Sequence, residues 1–313
     1  MLFSGRGNPD LSTKIAAKLG LGLGRVQLET FSDGEIYVKY EQSIRGADVF
    51  IVQPTCQPVN ENLMELLIMI QAAKLASAKR ITAVMPWYGY SRQDKKSQPR
   101  EPITGRLVAD LLQAAGVDRV LTMDLHAGQI QGFFGVPVDH MTATPMLADY
   151  FRFKDLGPIV VVSPAAGGVK TAKRVADRLG ATLAVISKLR PEHNEARVMY
   201  VIGDVAGHTA IIVDDIIDTA GTLVNATEAL LEKGATQVFA AATHPVLSGP
   251  AYERIAASSL KEVVVTDTIP LRENVDRKKI TVLSTAGILA DTIQNVFANE
   301  SVSALFHGEN QLF

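Results

Sequence analysis

Thr209-Ala210-Ile211-Ile212-Val213-Asp214-Asp215-Ile216-Ile217-Asp218-Thr219-Ala220-Gly221-Thr222 reads as a strand, a tight loop and the start of a helix. The apolar run Ala210 to Val213 suits the interior of a parallel sheet, whose strands are buried on both faces and therefore almost continuously apolar. Asp214 and Asp215 follow where that strand is expected to emerge. Open α/β sheets bind ligands at the carboxyl ends of their strands, so Asp214, Asp215 and Asp218 stand where ribose hydroxyls or a Mg²⁺ ion would be held. Thr219-Ala220-Gly221-Thr222 then offers successive backbone N–H groups and two hydroxyls at the head of an expected helix, Leu223 to Lys233, whose dipole also favours an anion. An ordinary strand-to-helix turn uses Asp and Thr as caps, but three acids within five residues, directly after an apolar strand, exceed what capping needs.

The chain has 313 residues, room for two domains of ordinary size. Its 31 basic and 33 acidic residues give a formal charge of −2, which offers no field to a nucleic-acid backbone or an anionic membrane, so small-molecule partners are expected instead. Cys56 is the one cysteine, which excludes an intramolecular disulfide. The start Met-Leu-Phe-Ser-Gly-Arg has no basic region followed by a secretory apolar stretch, so a cytoplasmic location is expected. The most apolar helix candidate, Leu63 to Leu75, is interrupted by Glu65 and Lys74 and is too short to span a bilayer.

Working outward, apolar strands alternate with helical stretches, the pattern of an α/β fold with mainly parallel sheets. Asp48 to Gln53 is a buried strand, followed by a loop, the helix Glu61 to Ala76 and the strand Ile81 to Trp87. Thr209 to Asp214, the helix Leu223 to Lys233 and the strand Gln237 to Thr243 repeat that arrangement, including a small-residue linker, so the sequence reads as a duplicated α/β unit. The first copy has Pro54-Thr55-Cys56-Gln57-Pro58 where the second has its acid cluster.

Other loops carry candidate chemistry. Phe31-Ser32-Asp33-Gly34-Glu35 precedes the alternating strand Ile36 to Tyr40, and on residues alone Asp33 and Gly34 are best read as hairpin turn residues. Trp87 to Lys96, with Arg92 and Gln93, reads as a solvated charged loop. His126 follows Asp124 at the end of the strand Arg119 to Asp124; a lone His there is more often a hydrogen-bonded structural residue than a ligand, although a strand's carboxyl end favours function. Ser163 to Gly168 opens a helix and is either an anion site or a close-packed turn. Lys188-Leu189-Arg190 begins a polar segment that is either a surface loop or a lid, and residues two apart on an extended strand end share a face, so Lys188 and Arg190 can act together.

The acid loop resembles the signature shared by type I phosphoribosyltransferases and ribose-phosphate diphosphokinases. Taken with Phe31 to Glu35, Tyr88-Gly89-Tyr90, Arg92-Gln93-Asp94, Asp124-Leu125-His126, Gly167-Gly168 and Lys188 with Arg190-Pro191, the whole chain resembles the ribose-phosphate diphosphokinase family (phosphoribosyl diphosphate synthases). That resemblance implies two similar type I phosphoribosyltransferase-type domains, at 1–143 and 144–285, with 286–313 returning to the first. It implies transfer of the diphosphoryl group of ATP to the C1 hydroxyl of ribose 5-phosphate, for nucleotide biosynthesis. Carried over by position, Phe31, Asp33, Gly34, Glu35, Arg92 and Gln93 match the ATP site, and His126 a Mg²⁺ ligand. Asp214, Asp215 and Asp218 to Thr222, with Arg190, match the ribose 5-phosphate site, and Lys188 with Arg190 the catalytic loop. The resemblance further implies a homohexamer with the ATP site completed across a subunit contact, and regulation by phosphate and ADP around Ser43, Arg45, Ser301, Ser303 and Phe306. Two positions depart from the family: Ala165 replaces an Asp that serves as a metal site, and Leu189 replaces a residue that is basic in many relatives. Ala165 raises the alternative of a non-catalytic regulatory homologue; a phosphoribosyltransferase would need no ATP-site residues.

Overall fold

Apolar β-branched runs and amphipathic stretches alternate as strands and helices along the chain, which a computed structural model describes for residues 1–188 and 199–306. The first half comprises β1 (Leu2–Ser4), α1 (Pro9–Lys18), β2 (Val26–Thr30), β3 (Ile36–Tyr40), β4 (Asp48–Val52), α2 (Val59–Leu75), β5 (Arg80–Met85), α3 (Thr104–Ala115), β6 (Arg119–Met123), β7 (Val138–Met141) and α4 (Thr144–Arg152). The second comprises β8 (Ile159–Ser163), α5 (Val169–Leu179), β9 (Thr182–Lys188), β10 (Met199–Ile202), β11 (Thr209–Ile217), α6 (Gly221–Glu232), β12 (Gln237–Pro245), α7 (Ala251–Ala257), β13 (Glu262–Thr266), β14 (Ile280–Leu283) and α8 (Ala286–Ala298). Two compact units result: residues 1–142 with 268–270 and the chain from 284 onward, and residues 143–267 with 271–283.

In the first unit a five-stranded parallel sheet runs in the order β1-β4-β5-β6-β7, while β2 and β3 form a separate antiparallel hairpin. Its core is built from fully buried Val49, Ile51, Leu66, Met69, Ile70, Ala83, Leu112 and Val120. α1 starts because Asn8 Oδ1 accepts the Leu11 N–H at 3.2 Å and Pro9 supplies a preset first turn. α8 packs against α1, and beyond it Arg80 donates to Asn299 Oδ1 at 2.6 Å. Arg80 also makes a two-pronged contact with the Asp48 carboxylate, at 2.7 and 2.9 Å, which holds that carboxyl below its usual range.

In the second unit a seven-stranded sheet runs β10-β9-β8-β11-β12-β13-β14; β10 is antiparallel to β9 and the other pairs are parallel. Val160, Val162, Ala210, Val238 and Val263 are fully buried in its core. The order β1-β4-β5-β6-β7 is repeated by β8-β11-β12-β13-β14, and the ladders agree residue by residue: Asp48 pairs with Arg80 as Thr209 pairs with Gln237. The loops agree too. Gly46 donates to the Ser77 carbonyl at 2.8 Å and Gly207 to that of Gly234 at 2.9 Å, while Asp124 donates to Met141 at 2.9 Å and Asp267 to Leu283 at 3.1 Å. In this register Gln53 corresponds to Asp214, and Arg6 to Ala165.

Most element boundaries shift by one or two residues from the sequence reading, and the shift that bears on the site is at β11. β11 does not end at Asp214 but continues to Ile217, because β12 runs beside it to Pro245, with Asp214 opposite Ala242 and Ile217 opposite Pro245. On its other side β8 stops pairing at Ile212, which opens a crevice beside the acids. Among the described residues no helix is long and apolar enough to cross a membrane.

Candidate functional site

The crevice left where β8 ends is a cavity of about 210 Å³. Ile212, Asp214 and Ile216 reach it from alternate positions of β11, as a pleated strand requires, and Asp218 to Thr222 close it from the far side. Asp215, the second acid of the pair, is not among the residues that line the cavity. Its N–H is instead bonded to Asp214 Oδ1 at 3.0 Å.

Ala220 precedes α6 in the left-handed region, at φ 57° and ψ 2°. For an L-residue with a Cβ this costs about 1 kcal/mol or more. What it gains is a concave run of N–H groups: a left-handed residue followed by a helical one turns successive donors toward one point. The α6 dipole ends at that point, so the cavity joins two carboxylates suited to sugar hydroxyls with a cradle suited to phosphate. The loop is held from behind. Leu247 donates its N–H to the Ile217 carbonyl at 3.0 Å, Ser248 Oγ donates to Asp218 Oδ1, and Arg254 Nη1 donates to the Thr219 carbonyl at 2.9 Å.

Across the cavity lie Pro164 and Ala165. The Ala165 carbonyl accepts from Ser163 Oγ at 2.7 Å and from the Gly168 N–H at 3.1 Å, so this segment is a tight turn closed on itself. As donors for a metal, the carboxylates of Asp214 and Asp218 are hard oxygen ligands of the kind Mg²⁺ takes, and the Ala165 methyl adds none. Among the described residues no group of three or more His, Cys, Asp or Glu converges as a metal cluster. Lys188 closes β9, which runs parallel to β8, so its backbone lies at the same carboxyl edge of the sheet. Arg190 lies outside the described residues.

The remaining candidates belong to the first unit and stand on separate segments. Phe31 to Glu35 form the tip of the β2–β3 hairpin: Phe31 donates to the Glu35 carbonyl at 2.8 Å, Gly34 to that of Phe31 at 2.9 Å, and Asp33 Oδ1 accepts the Glu35 N–H at 3.1 Å. Asp33 and Gly34 are therefore turn residues, and Phe31 is left 50% exposed beside Tyr37. Arg92 is exposed in the loop after β5. Gln93 anchors the head of α3, its carbonyl accepting the Gly105 N–H at 3.0 Å and its Oε1 the Thr104 hydroxyl at 2.6 Å. His126 is exposed after β6, next to Leu125, whose N–H is bonded to Nε2 of buried His140 at 3.0 Å. Ser301 and Ser303 hydroxyls lie 3.0 Å apart beyond α8. The sequence reading missed His140, Ser248 and Arg254; all three act on partners 15 to 35 residues away, and no local spacing signals them.

Comparison with known proteins accounts for nearly the whole chain. The model of the N-terminal domain of ribose phosphate pyrophosphokinase matches residues 1–116, and that of the phosphoribosyl synthetase-associated domain matches residues 188–307. The ribose-phosphate pyrophosphokinase of Caldanaerobacter subterraneus subsp. tengcongensis is 57% identical over 306 residues, covering 97% of this chain and 97% of that protein. That of Oceanobacillus iheyensis is 53% identical over 305 residues, 97% of this chain and 96% of the relative. The crystal structure of phosphoribosylpyrophosphate synthetase from Mycobacterium smegmatis superposes with a TM-score of 0.90 at 48% identity, over 96% of this chain and 99% of that one.

Proposed function

The chain belongs to the ribose phosphate pyrophosphokinase family, and from that premise we propose that it transfers the diphosphoryl group of ATP to the C1 hydroxyl of ribose 5-phosphate. The observation that carries this reading is the single small cavity that combines Asp214 and Asp218 with the N–H cradle at the head of α6. A pentose phosphate has hydroxyls at one end and a dianion at the other, and carboxylates together with a helix N-terminus are the kinds of partner that suit them, which supports the reading.

The C1 oxygen attacks the β-phosphorus, the bond from that phosphorus to the oxygen shared with the α-phosphate breaks, and AMP leaves with the oxygen. The C1 hydroxyl proton is released, and the other product is 5-phosphoribosyl 1-diphosphate. Such a displacement needs little covalent help, so the protein acts by alignment and by stabilising charge on the phosphoryl oxygens. Asp218 and the loop to Thr222 hold the sugar phosphate. Lys188 brings a point charge and Arg190 a planar fork of donors to the transferring group, while Phe31 stacks on the adenine and Asp33, Gly34, Glu35, Arg92 and Gln93 bind the rest of ATP. Mg²⁺, which His126 and substrate oxygens would hold, supplies Lewis-acid neutralisation of the diphosphate. A homohexamer, control by phosphate and ADP, and a cytoplasmic location complete the proposal.

Purified chain supplied with ATP, ribose 5-phosphate and Mg²⁺ is expected to form AMP and 5-phosphoribosyl 1-diphosphate in equal amounts. No AMP at any Mg²⁺ concentration would overturn the assignment in favour of a non-catalytic homologue.

A further inference from the structure

The segment from β12 to α7 has no part in the reaction as proposed, yet it touches consecutive residues of the acid loop. Leu247 holds Ile217, Ser248 holds Asp218 and Arg254 holds Thr219. The segment itself is folded tightly for this, with Leu247 at φ 42° and Gly249 at φ 54°. Resting on the ribose 5-phosphate reading of the cavity, we propose that Ser248 and Arg254 are positioning residues that set affinity for the sugar phosphate, Arg254 through the phosphate cradle and Ser248 through Asp218.

The geometry of the peptide unit carries the argument for Arg254. In a planar trans peptide the carbonyl and the following N–H point in opposite directions. Pinning the Thr219 carbonyl on the guanidinium therefore turns the Ala220 N–H the other way, and a flipped peptide would present a carbonyl oxygen there in its place. Ala220 sits in a backbone region that L-residues disfavour, so an outside bond is needed to keep the peptide in this orientation. The guanidinium also polarises the peptide it binds, which strengthens its N–H as a donor. Gly221 fits the same picture. A Cβ at that position would lie 3.2 Å from Arg254 Nη1, so any side chain there would press on the guanidinium. Ser248 acts at the sugar end: its hydroxyl, bonded to Oδ1, fixes the rotation of the Asp218 carboxylate.

The test compares wild type with Arg254→Met, which keeps an alkyl stem on an exposed helical position, with Arg254→Lys and with Ser248→Ala. Arg254→Met is expected to raise both the KM and the calorimetric Kd for ribose 5-phosphate about tenfold, the usual scale for losing a charge-assisted bond. The KM for MgATP should stay within about twofold, Arg254→Lys should recover part of the loss, and Ser248→Ala should weaken ribose 5-phosphate about fivefold. Wild-type ribose 5-phosphate affinity in Arg254→Met and Ser248→Ala would overturn the proposal, as would equal losses for both substrates together with a lower melting temperature. If wild type makes AMP while the variants match it, only the positioning role fails. If wild type binds no ribose 5-phosphate in the calorimeter, the reading of the cavity fails and the proposal with it.

Discussion

Where β4 ends, Gln53 turns inward and is fully buried; where β11 passes the same level, Asp214 lines an open cavity. Gln53 Oε1 accepts the Gly7 N–H at 2.8 Å, and its Nε2 donates to Glu65 Oε1 at 2.9 Å and to the Asn62 carbonyl at 3.2 Å. Glu65, 1% exposed, accepts in turn the Arg6 N–H at 2.7 Å and the Arg6 guanidinium. The fit is close enough that a Cβ on Gly5 would lie 2.3 Å from Gln53 Oε1. An acid, an amide and a guanidinium occupy in the first unit the level at which the second has an open cavity. Both sheets provide a crevice by topology, and loop residues alone decide whether it becomes a site or a core, which is why fold by itself does not give function.

The comparison assigns sugar-phosphate chemistry to the crevice of the second sheet and stability to the corresponding crevice of the first, and it breaks most easily at the extremes. Lys188→Ala should lower turnover by roughly 10⁴-fold, the scale of losing a cation that stabilises a phosphoryl transition state, with the melting temperature and ribose 5-phosphate affinity unchanged. Unaltered kcat in steady-state assays would remove Lys188 from the mechanism. Glu65→Ala should destabilise the fold by about 1–3 kcal/mol in denaturant titration, because it takes the carboxylate from the Arg6 N–H and the buried Gln53 amide. Asp218→Ala should behave in the opposite way, raising the KM for ribose 5-phosphate by about ten- to a hundredfold at unchanged stability. If Glu65→Ala proved stable but weak in ribose 5-phosphate binding, the division of labour between the two loops would be refuted.

Cys56 offers a reporter for the filled crevice. It lies in the loop that corresponds to the acid loop, 3% exposed, with burial pushing its thiol up to about 11. A thiol reagent needs the thiolate and access to it, so native protein at pH 8 should resist labelling until denaturant opens the first unit. Rapid stoichiometric labelling of native protein would show that this loop is as open as its counterpart.

Much of this division was legible in the residues. The acid loop stood out because polar residues directly after an apolar strand have no core to enter. Glu65, by contrast, read as an interruption of an apolar helix, since only folding brings Arg6 and Gln53 to it. β7 was missed because Val138 to Met141 is short and mixed, and becomes a strand by pairing with β6. The extension of β11 to Ile217 likewise depends on β12 beside it. In the hairpin tip, Asp33 and Gly34 serve the turn, as the residues alone indicated.

The smallest expected effect lies at the position where the two copies contrast most directly, Arg6 in the first and Ala165 in the second. Arg6 neutralises the buried Glu65; Ala165 faces Asp214 and Asp218 across an open cavity and offers them no further ligand. A carboxylate there would add both an oxygen donor and a negative charge for Mg²⁺, whereas a methyl group adds neither. Nucleotide and diphosphate oxygens can still carry the ion into the cleft, since Mg²⁺ commonly keeps most of its waters and takes few protein ligands. Wild type should therefore be active but need more free metal than Ala165→Asp, with a difference of about three- to tenfold in the free Mg²⁺ concentration giving half-maximal rate at fixed MgATP. The KM for ribose 5-phosphate should not move, because the cradle at the head of α6 is untouched. Identical Mg²⁺ titrations for the two proteins would mean that position 165 plays no part in metal binding, and an Ala165→Asp enzyme active where wild type is silent would hand the assignment to a non-catalytic homologue.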